Sequence, residues 1–198
     1  MKFGGTSVAN IERIKNVADI IKSKKNDGLK IVVVVSAMAG VTNDLVEKSK
    51  AISQNFSNEE YDVLLSSGEQ VTSALLSACL IEKKIPARSM LAWQIPIVTE
   101  GKNKNSRILS INSKAILNYL NMNYVVVVPG FQGISEQMRV STIGRGGSDA
   151  SAVALAKALN ADQCEIYTDV EGIFTTNPEI FEKAKKIDKI SYDEILEM

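Results

Sequence analysis

The sequence predicts an α/β fold, a three-layer α/β/α sandwich around a mostly parallel central sheet, and three observations predict it. Short unbroken runs of β-branched and apolar residues recur at Ile31 to Val35, Tyr124 to Val128 and Cys164 to Thr168. Strands apolar on both faces are what a parallel sheet covered on both sides requires. Longer segments with apolar residues at helical spacing separate these runs, and alternating β and α elements lead to a layered architecture. Each run also ends in a turn rich in glycine or hydroxyl residues, where sheets of this kind bind their ligands.

Taken in order, Lys2 and Phe3 form a stub of strand. Ile11, Ile14, Val17, Ala18 and Ile21 then trace one face of a helix, with Asn10 placed as its N-cap. Ser57 to Glu60 has the spacing of a capping box and announces a second helix. Further helices are expected over Gly68 to Lys84, Asn112 to Asn121 and Asp149 to Leu159. Glu100 to Arg107 reads as a polar surface loop and Gln132 to Val140 as an excursion from the sheet. With no repeat, low-complexity tract or clean boundary, residues 1–198 read as one domain.

Composition narrows the chemistry. Lys and Arg number 23 and Asp and Glu 23, so there is neither a basic footprint for nucleic acid nor a polybasic membrane patch. No signal-peptide pattern opens the chain, and Ile31 to Val35 is too short to span a bilayer. Cys79 and Cys164 lack CxxC spacing and lie in apolar-patterned segments, so both read as buried thiols of a cytoplasmic protein. The complete absence of histidine removes the commonest general base, Ser/His/Asp triads and most zinc sites.

The remaining signals sit in the turns. Lys2 is followed by Gly4, Gly5, Thr6 and Ser7; Val35 by Ser36 to Thr42; Val128 by Pro129 to Gly133; and Thr142 by the run Gly144 to Asp149. Glycine turns leading into helices expose N–H groups and the positive end of a helix dipole, which suits phosphate oxygens. Any one of these turns, read alone, is ordinary turn chemistry. Asp149 alone reads as an N-cap, and Lys2 alone as a solvated terminal charge. Neither GxxxxGK[ST] nor GxGxxG occurs, which argues against a P-loop ATPase and an ordinary dinucleotide dehydrogenase.

Several glycine loops with a lysine, an arginine and carboxylates supply what phosphoryl transfer needs. A hydroxyl acceptor would profit from a base, whereas a carboxylate acceptor is already ionised at neutral pH. A histidine-free site therefore favours a carboxylate acceptor, although an aspartate can also serve as base.

Six stretches in order now resemble the aspartokinases of the amino-acid kinase family. They are Lys2 to Val8, Val35 to Asn43, Ser66 to Gln70, Pro129 to Gly133, Thr142 to Asp149 and Tyr167 to Phe174. The resemblance implies the amino-acid kinase fold and ATP- and Mg2+-dependent phosphorylation of the side-chain carboxylate of L-aspartate to 4-phospho-L-aspartate, the first step toward lysine, threonine and methionine. It implies that Lys2 neutralises charge on the transferring phosphoryl group, that Asp149 organises this lysine and the magnesium, and that Gly4, Gly5, Ser36 and Gly40 surround phosphate oxygens. Glu69 would take the α-ammonium of aspartate, with Thr42, Arg145 and Ser148 on its carboxylates and Phe131 lining the pocket. Thr168, Asp169 and Phe174 would line the nucleotide site.

The sequence also departs from the family's pattern. Only Met1 precedes Lys2, so the first strand is expected to be stunted. Glu179 stands where many members carry an arginine on nucleotide phosphate, an expected cost to ATP binding. The chain stops before the family's Gly-Ala-Lys loop and its ACT domains, so the fold is expected to be incomplete at the C-terminus. Its partners are expected to be a second copy or a C-terminal polypeptide. Two other readings stand beside this one, a non-catalytic or split-gene fragment and a related kinase with another carboxylate acceptor. Glu69 opposes an acetylated acceptor, because a carboxylate there calls for an ammonium partner.

Overall fold

The computed structural model describes every residue except 102–103, 145, 170–171, 173, 177–179, 182 and 192–198. Two compact units emerge, Met1–Tyr167 and Thr168–Met198.

In the first unit, strands β1 (Lys2–Phe3), β2 (Val32–Val35), β3 (Ala87–Ser89), β6 (Val125–Pro129) and β9 (Ile166–Tyr167) make a five-stranded sheet of order β3-β6-β2-β1-β9. All of its pairings are parallel. Val32 to Val35 lie opposite Val126 to Pro129, and Lys2 opposite Val34. The side-chain period of two sorts these valines between two cores. Val33, Val35, Val125 and Val127 pack with Ile14, Val17, Ile21, Leu76 and Leu80 on one face. Val34, Val126 and Val128 pack with Ile116, Leu120, Ala152 and Leu155 on the other. Helices α1 (Ile11–Asn26) and α3 (Asn58–Glu82) therefore cover one side, and α4 (Lys114–Asn121) and α5 (Gly147–Ala158) the other. The expected three-layer sandwich is present.

Several elements differ from expectation. The helices announced at Ser57 and at Gly68 are one 25-residue helix, α3. Ser57 occupies the N-cap position, but its side chain makes no cap hydrogen bond; Glu60 accepts instead from Arg139 Nη2 at 2.6 Å. By length and composition α3 would suffice to cross a membrane, yet half of its most apolar window is buried inside the fold, as in a core helix. Asn10, by contrast, caps α1 as predicted, accepting from Arg13 N at 2.9 Å. Helix α2 (Val41–Ile52) was not anticipated from the sequence; Val41 and Leu45 face α3 at Gly68 but stay only partly covered, and Ser49 is its one fully buried residue.

The excursion Gln132 to Val140 is an antiparallel hairpin of β7 (Gln132–Ile134) and β8 (Val140–Thr142). With β4 (Ile97–Glu100) and β5 (Arg107–Ile111) it builds a second, four-stranded sheet of order β5-β4-β7-β8. Cys79 is half-buried, but Cys164 is exposed, contrary to the reading of both as buried thiols. The predicted strand at Cys164 shrinks to Ile166–Tyr167, at the margin of the five-stranded sheet, so its first residues gain no cover. Interior strand β1 has two residues.

In the second unit Phe174 bridges Lys186 antiparallel, and Thr175 N donates to Lys185 O at 2.9 Å.

Candidate active site

At the carboxyl ends of the central strands lies a cavity of about 200 Å3, lined by Lys2, Ser36, Thr42, Glu69, Phe131, Gly144, Gly146, Gly147, Ser148 and Asp149. Seven of these are residues predicted for the site. A larger cavity of about 440 Å3 lies at the opposite, amino-terminal ends of the strands. Its walls include Leu117, Leu120, Leu155 and Leu159, and its ion pair, Lys24 with Glu165 at 2.6 Å, lies far from the glycine turns. Ligands in open parallel sheets bind at the carboxyl ends, so the smaller cavity is the candidate.

Its floor comes from β1 and α5. Lys2 sits on interior strand β1 and is 8% exposed, so it is not a solvated terminal charge. Its Nζ lies 2.7 Å from Asp149 Oδ1, an ion pair by distance whose alignment falls short of a hydrogen bond. Asp149 is the third residue of α5, and it does not cap the helix: the N-cap position belongs to Gly146, in the left-handed region at φ 73°. The main-chain turn begins the helix, which leaves the carboxylate free to face the lysine.

Two helix N-termini converge here. Gly40, at φ 84°, starts α2, whose second residue is Thr42. Gly147, Ser148 and Asp149 open α5. Asp149 N and Val41 N already donate to Gly146 O and Met38 O, and both helices turn a positive dipole end toward the cavity, where an anion is favoured.

Glu69 reaches the same cavity from α3. Gly68 makes this approach possible, since a Cβ there would lie 2.9 Å from Ala37 Cβ, in the turn after β2. Glu69 is 4% exposed and its Oε2 has no hydrogen-bond partner among the described residues. Burial pushes its carboxyl up to about 7, against the opposing pull of the N–H groups of Glu69 and Ala37. A buried carboxylate short of donors is a receptor for a cation.

Phe131 adopts φ 66°, a left-handed backbone that a bulky residue rarely takes. Two hydrogen bonds hold it there: Phe131 N donates to Ser151 Oγ at 3.1 Å, and Ile143 N donates to Phe131 O at 2.9 Å. Strain held this firmly at a cavity wall is a mark of a functional position. Gly130 beside it permits Ser148 to approach; a Cβ there would fall 2.8 Å from Ser148 Oγ.

Gly4, Gly5 and Gly40 do not line the cavity. Gly5 packs against the turn after β2, a Cβ there standing 3.0 Å from Ala37 O, and Gly4 N already donates to Tyr167 O at 3.4 Å. Arg145 and Glu179 lie outside the described residues. Thr168, Asp169 and Phe174 belong to the second unit, where Thr168 Oγ1 donates to Asp169 Oδ1 at 3.3 Å. Sequence reasoning missed Ser151, whose signal was the four-residue step from Gly147: its hydroxyl donates to Gly147 O at 2.7 Å.

The residues 1–198 match the profile of the amino acid kinase family. Aspartokinase of Rickettsia conorii is 50% identical over 200 residues, covering all of this chain and 50% of that protein. Among solved structures, aspartate kinase from Synechocystis aligns at 50% identity and TM-score 0.85, over 99% of this chain and 32% of its own. E. coli aspartokinase III in complex with aspartate and ADP aligns at 29% identity and TM-score 0.86, over 100% of this chain and 55% of its own. The chain spans about half the length of the curated relatives it matches. Fold, cavity and these likenesses agree, and the chain belongs to the amino acid kinase family.

Proposed function

We propose that this chain carries the catalytic chemistry of an aspartate kinase: transfer of the γ-phosphoryl group of ATP to the side-chain carboxylate of L-aspartate, giving 4-phospho-L-aspartate and ADP, at the entry to lysine, threonine and methionine synthesis. The observation that carries this reading is one small cavity with a paired lysine and carboxylate, Lys2 and Asp149, and an unpaired buried carboxylate, Glu69. The likeness to relatives named aspartokinase supports it.

The division of labour follows from charge. Glu69 takes the α-ammonium of aspartate, and the desolvation that raises its carboxyl is relieved when the cation arrives. Thr42 and Ser148, with Arg145, hold the carboxylates through hydroxyls, helix N-terminal N–H groups and the guanidinium fork. The attacking carboxylate oxygen forms a bond to the γ-phosphorus while the bond to the bridging β-oxygen breaks, and the electron pair leaves with ADP. The acceptor is ionised at neutral pH, so no proton need be removed, and the lack of histidine costs nothing. Lys2 faces the charge spread over the phosphoryl oxygens in the transition state, and Asp149 fixes its Nζ. Ser36, Gly4, Gly5 and Gly40 are proposed around the phosphates, and Thr168, Asp169 and Phe174 as nucleotide contacts on the second unit.

Among the described residues no group of three potential metal ligands occurs. That suits magnesium, which binds through one or two carboxylates with substrate phosphates and water rather than in a protein cage. Asp149, whose side chain remains 47% exposed, is the carboxylate available, and the ion would supply neutralisation of phosphate charge.

The test is turnover of the purified chain with MgATP and L-aspartate, trapping the acyl phosphate as hydroxamate. Hydroxamate formation that requires aspartate supports the reading. Absence of turnover, together with no heat of ATP binding, sinks it for this chain by itself, and recovery on adding a C-terminal polypeptide of an aspartokinase would assign the activity to an assembly.

A further inference from the structure

We infer that Asp62, a residue outside the cavity, is a positioning residue that sets the spacing between the Glu69 wall and the loop carrying Ser148 and Asp149. The functional part of this inference rests on the reading above. Asp62 is fully buried, in the first turns of α3. Its Oδ2 accepts from Thr142 N at 3.0 Å, and its Oδ1 from Thr142 Oγ1 at 2.7 Å and Lys104 N at 3.1 Å. A fully buried carboxylate that accepts two hydrogen bonds from one strand end and another from the β4–β5 connection is a rigid clamp.

What it clamps is informative. Thr142 is the last residue of β8, and the chain runs from it through Gly144, Gly146 and Gly147 to Ser148 and Asp149. Ser106 N donates to Thr142 O at 3.1 Å, fastening the other side of the same residue. Seven residues beyond Asp62 on the same helix, two turns or about 10 Å away, stands Glu69. One rigid helix thus carries the proposed ammonium receptor at one point and grips the root of the opposite wall at another. The hairpin β7–β8 is also tied to α3 by Arg139 with Glu60 and by Gln132 Nε2 donating to Ser66 O, but Asp62 is the α3 side chain that grips Thr142, the residue from which the loop leaves. Gly146, at φ 73°, turns the chain into α5, and Gly147 packs against Phe131 and Ile143, so the placing of Ser148 and Asp149 depends on a fixed root.

Asp62→Asn tests this in the full chain. The amide has one acceptor oxygen where the carboxylate has two, so an NH2 group must face Thr142 N or Lys104 N. Amide hydrogen exchange over residues 143–149 is expected to rise about tenfold while exchange over residues 70–82 of α3 stays unchanged. With MgATP and aspartate, KM for aspartate is expected to rise about five- to tenfold and KM for ATP less than twofold. A merely structural defect would lower kcat through a smaller active fraction and leave both KM values in place.

Thr142→Val, which deletes the hydroxyl and keeps the N–H, is expected to move both readouts in the same direction by less, and the double variant by less than the product of the two. It carries the test alone if Asp62→Asn does not fold. Unchanged exchange over 143–149, exchange rising equally along α3, or multiplicative effects in the double variant would each overturn the inference. A wild-type chain that fails to phosphorylate aspartate defeats the proposed function only, because the exchange measurement still decides whether Asp62 fixes the loop.

Discussion

The two charged walls of the cavity are prepared in opposite ways. On one, Lys2 and Asp149 stand 2.7 Å apart and satisfy each other's charge. On the other, Glu69 is buried with one oxygen unpartnered and its carboxyl raised to about 7. The paired wall is complete before any ligand arrives, as a group that must meet a transition state without reorganising should be. The unpaired wall is destabilised until a cation reaches it, which converts the cost of burial into selectivity for an ammonium. Pre-organisation serves the chemical step and frustration serves recognition, and the substitutions that follow separate the two.

The largest effect is expected from the paired wall. Lys2→Met keeps the volume of the buried stem and removes the charge; kcat is expected to fall by about 10^3-fold, as when a principal electrostatic donor is deleted. KM for aspartate is expected to stay within threefold, because Glu69 is untouched. Stopped assays of hydroxamate formation across aspartate concentrations check both. A kcat within tenfold of wild type would mean that Lys2 and Asp149 pair for structure only.

Glu69→Gln probes the other wall, and it is expected to raise KM for aspartate by about 10- to 100-fold, the worth of a charge-assisted hydrogen bond. The same substitution is expected to stabilise the fold at high pH. The folded carboxyl titrates near 7 and its ordinary value is 4.5, so the native state binds more protons than the unfolded state between these limits. Stability linked to Glu69 is thus complete below about 4.5 and is lost as pH rises through about 7. The glutamine variant escapes that loss: a gain of ~1–3 kcal/mol is expected at pH 8 and none at pH 4. Urea melts at the two pH values decide it, and equal stability at pH 8 would show that Glu69 already has a partner in solution.

The contrast between these walls was only half visible in the sequence. Unbroken valine runs announced β2 and β6, because a strand buried on both faces must be apolar at every position. The turns after them located the site for the same topological reason. The second sheet was not legible: β4, β5, β7 and β8 hold no unbroken apolar run, and their pairing depends on partners far away in sequence, such as Val98 with Ile134. Asp62 carries no local sign of its role, and nothing near it in the sequence says that Thr142, eighty positions on, will pair with it. Glu69 was legible as a site residue, but its missing partner is a property of the packed cavity.

Gly147→Ala is the mildest way to disturb the comparison, since it touches neither charge. Gly147 is the first residue of α5, and a Cβ there would stand 2.8 Å from Phe131 Cδ2 and 3.1 Å from Ile143 Cβ. Ile143 is β-branched and packed, so it yields little, and the ring of Phe131 must turn. Alanine also favours the helix over glycine by up to about 1 kcal/mol, which offsets part of the clash and keeps the fold intact. Phe131 shares the cavity with Glu69, and its apolar ring takes no part in the ion pair of Lys2 with Asp149. KM for aspartate is therefore expected to rise about threefold with kcat nearly unchanged, the pattern of weakened uniform binding. A fall in kcat at constant KM would instead mean that the displaced ring shifts α5 and pulls Asp149 from Lys2, so that recognition and the chemical step share one support.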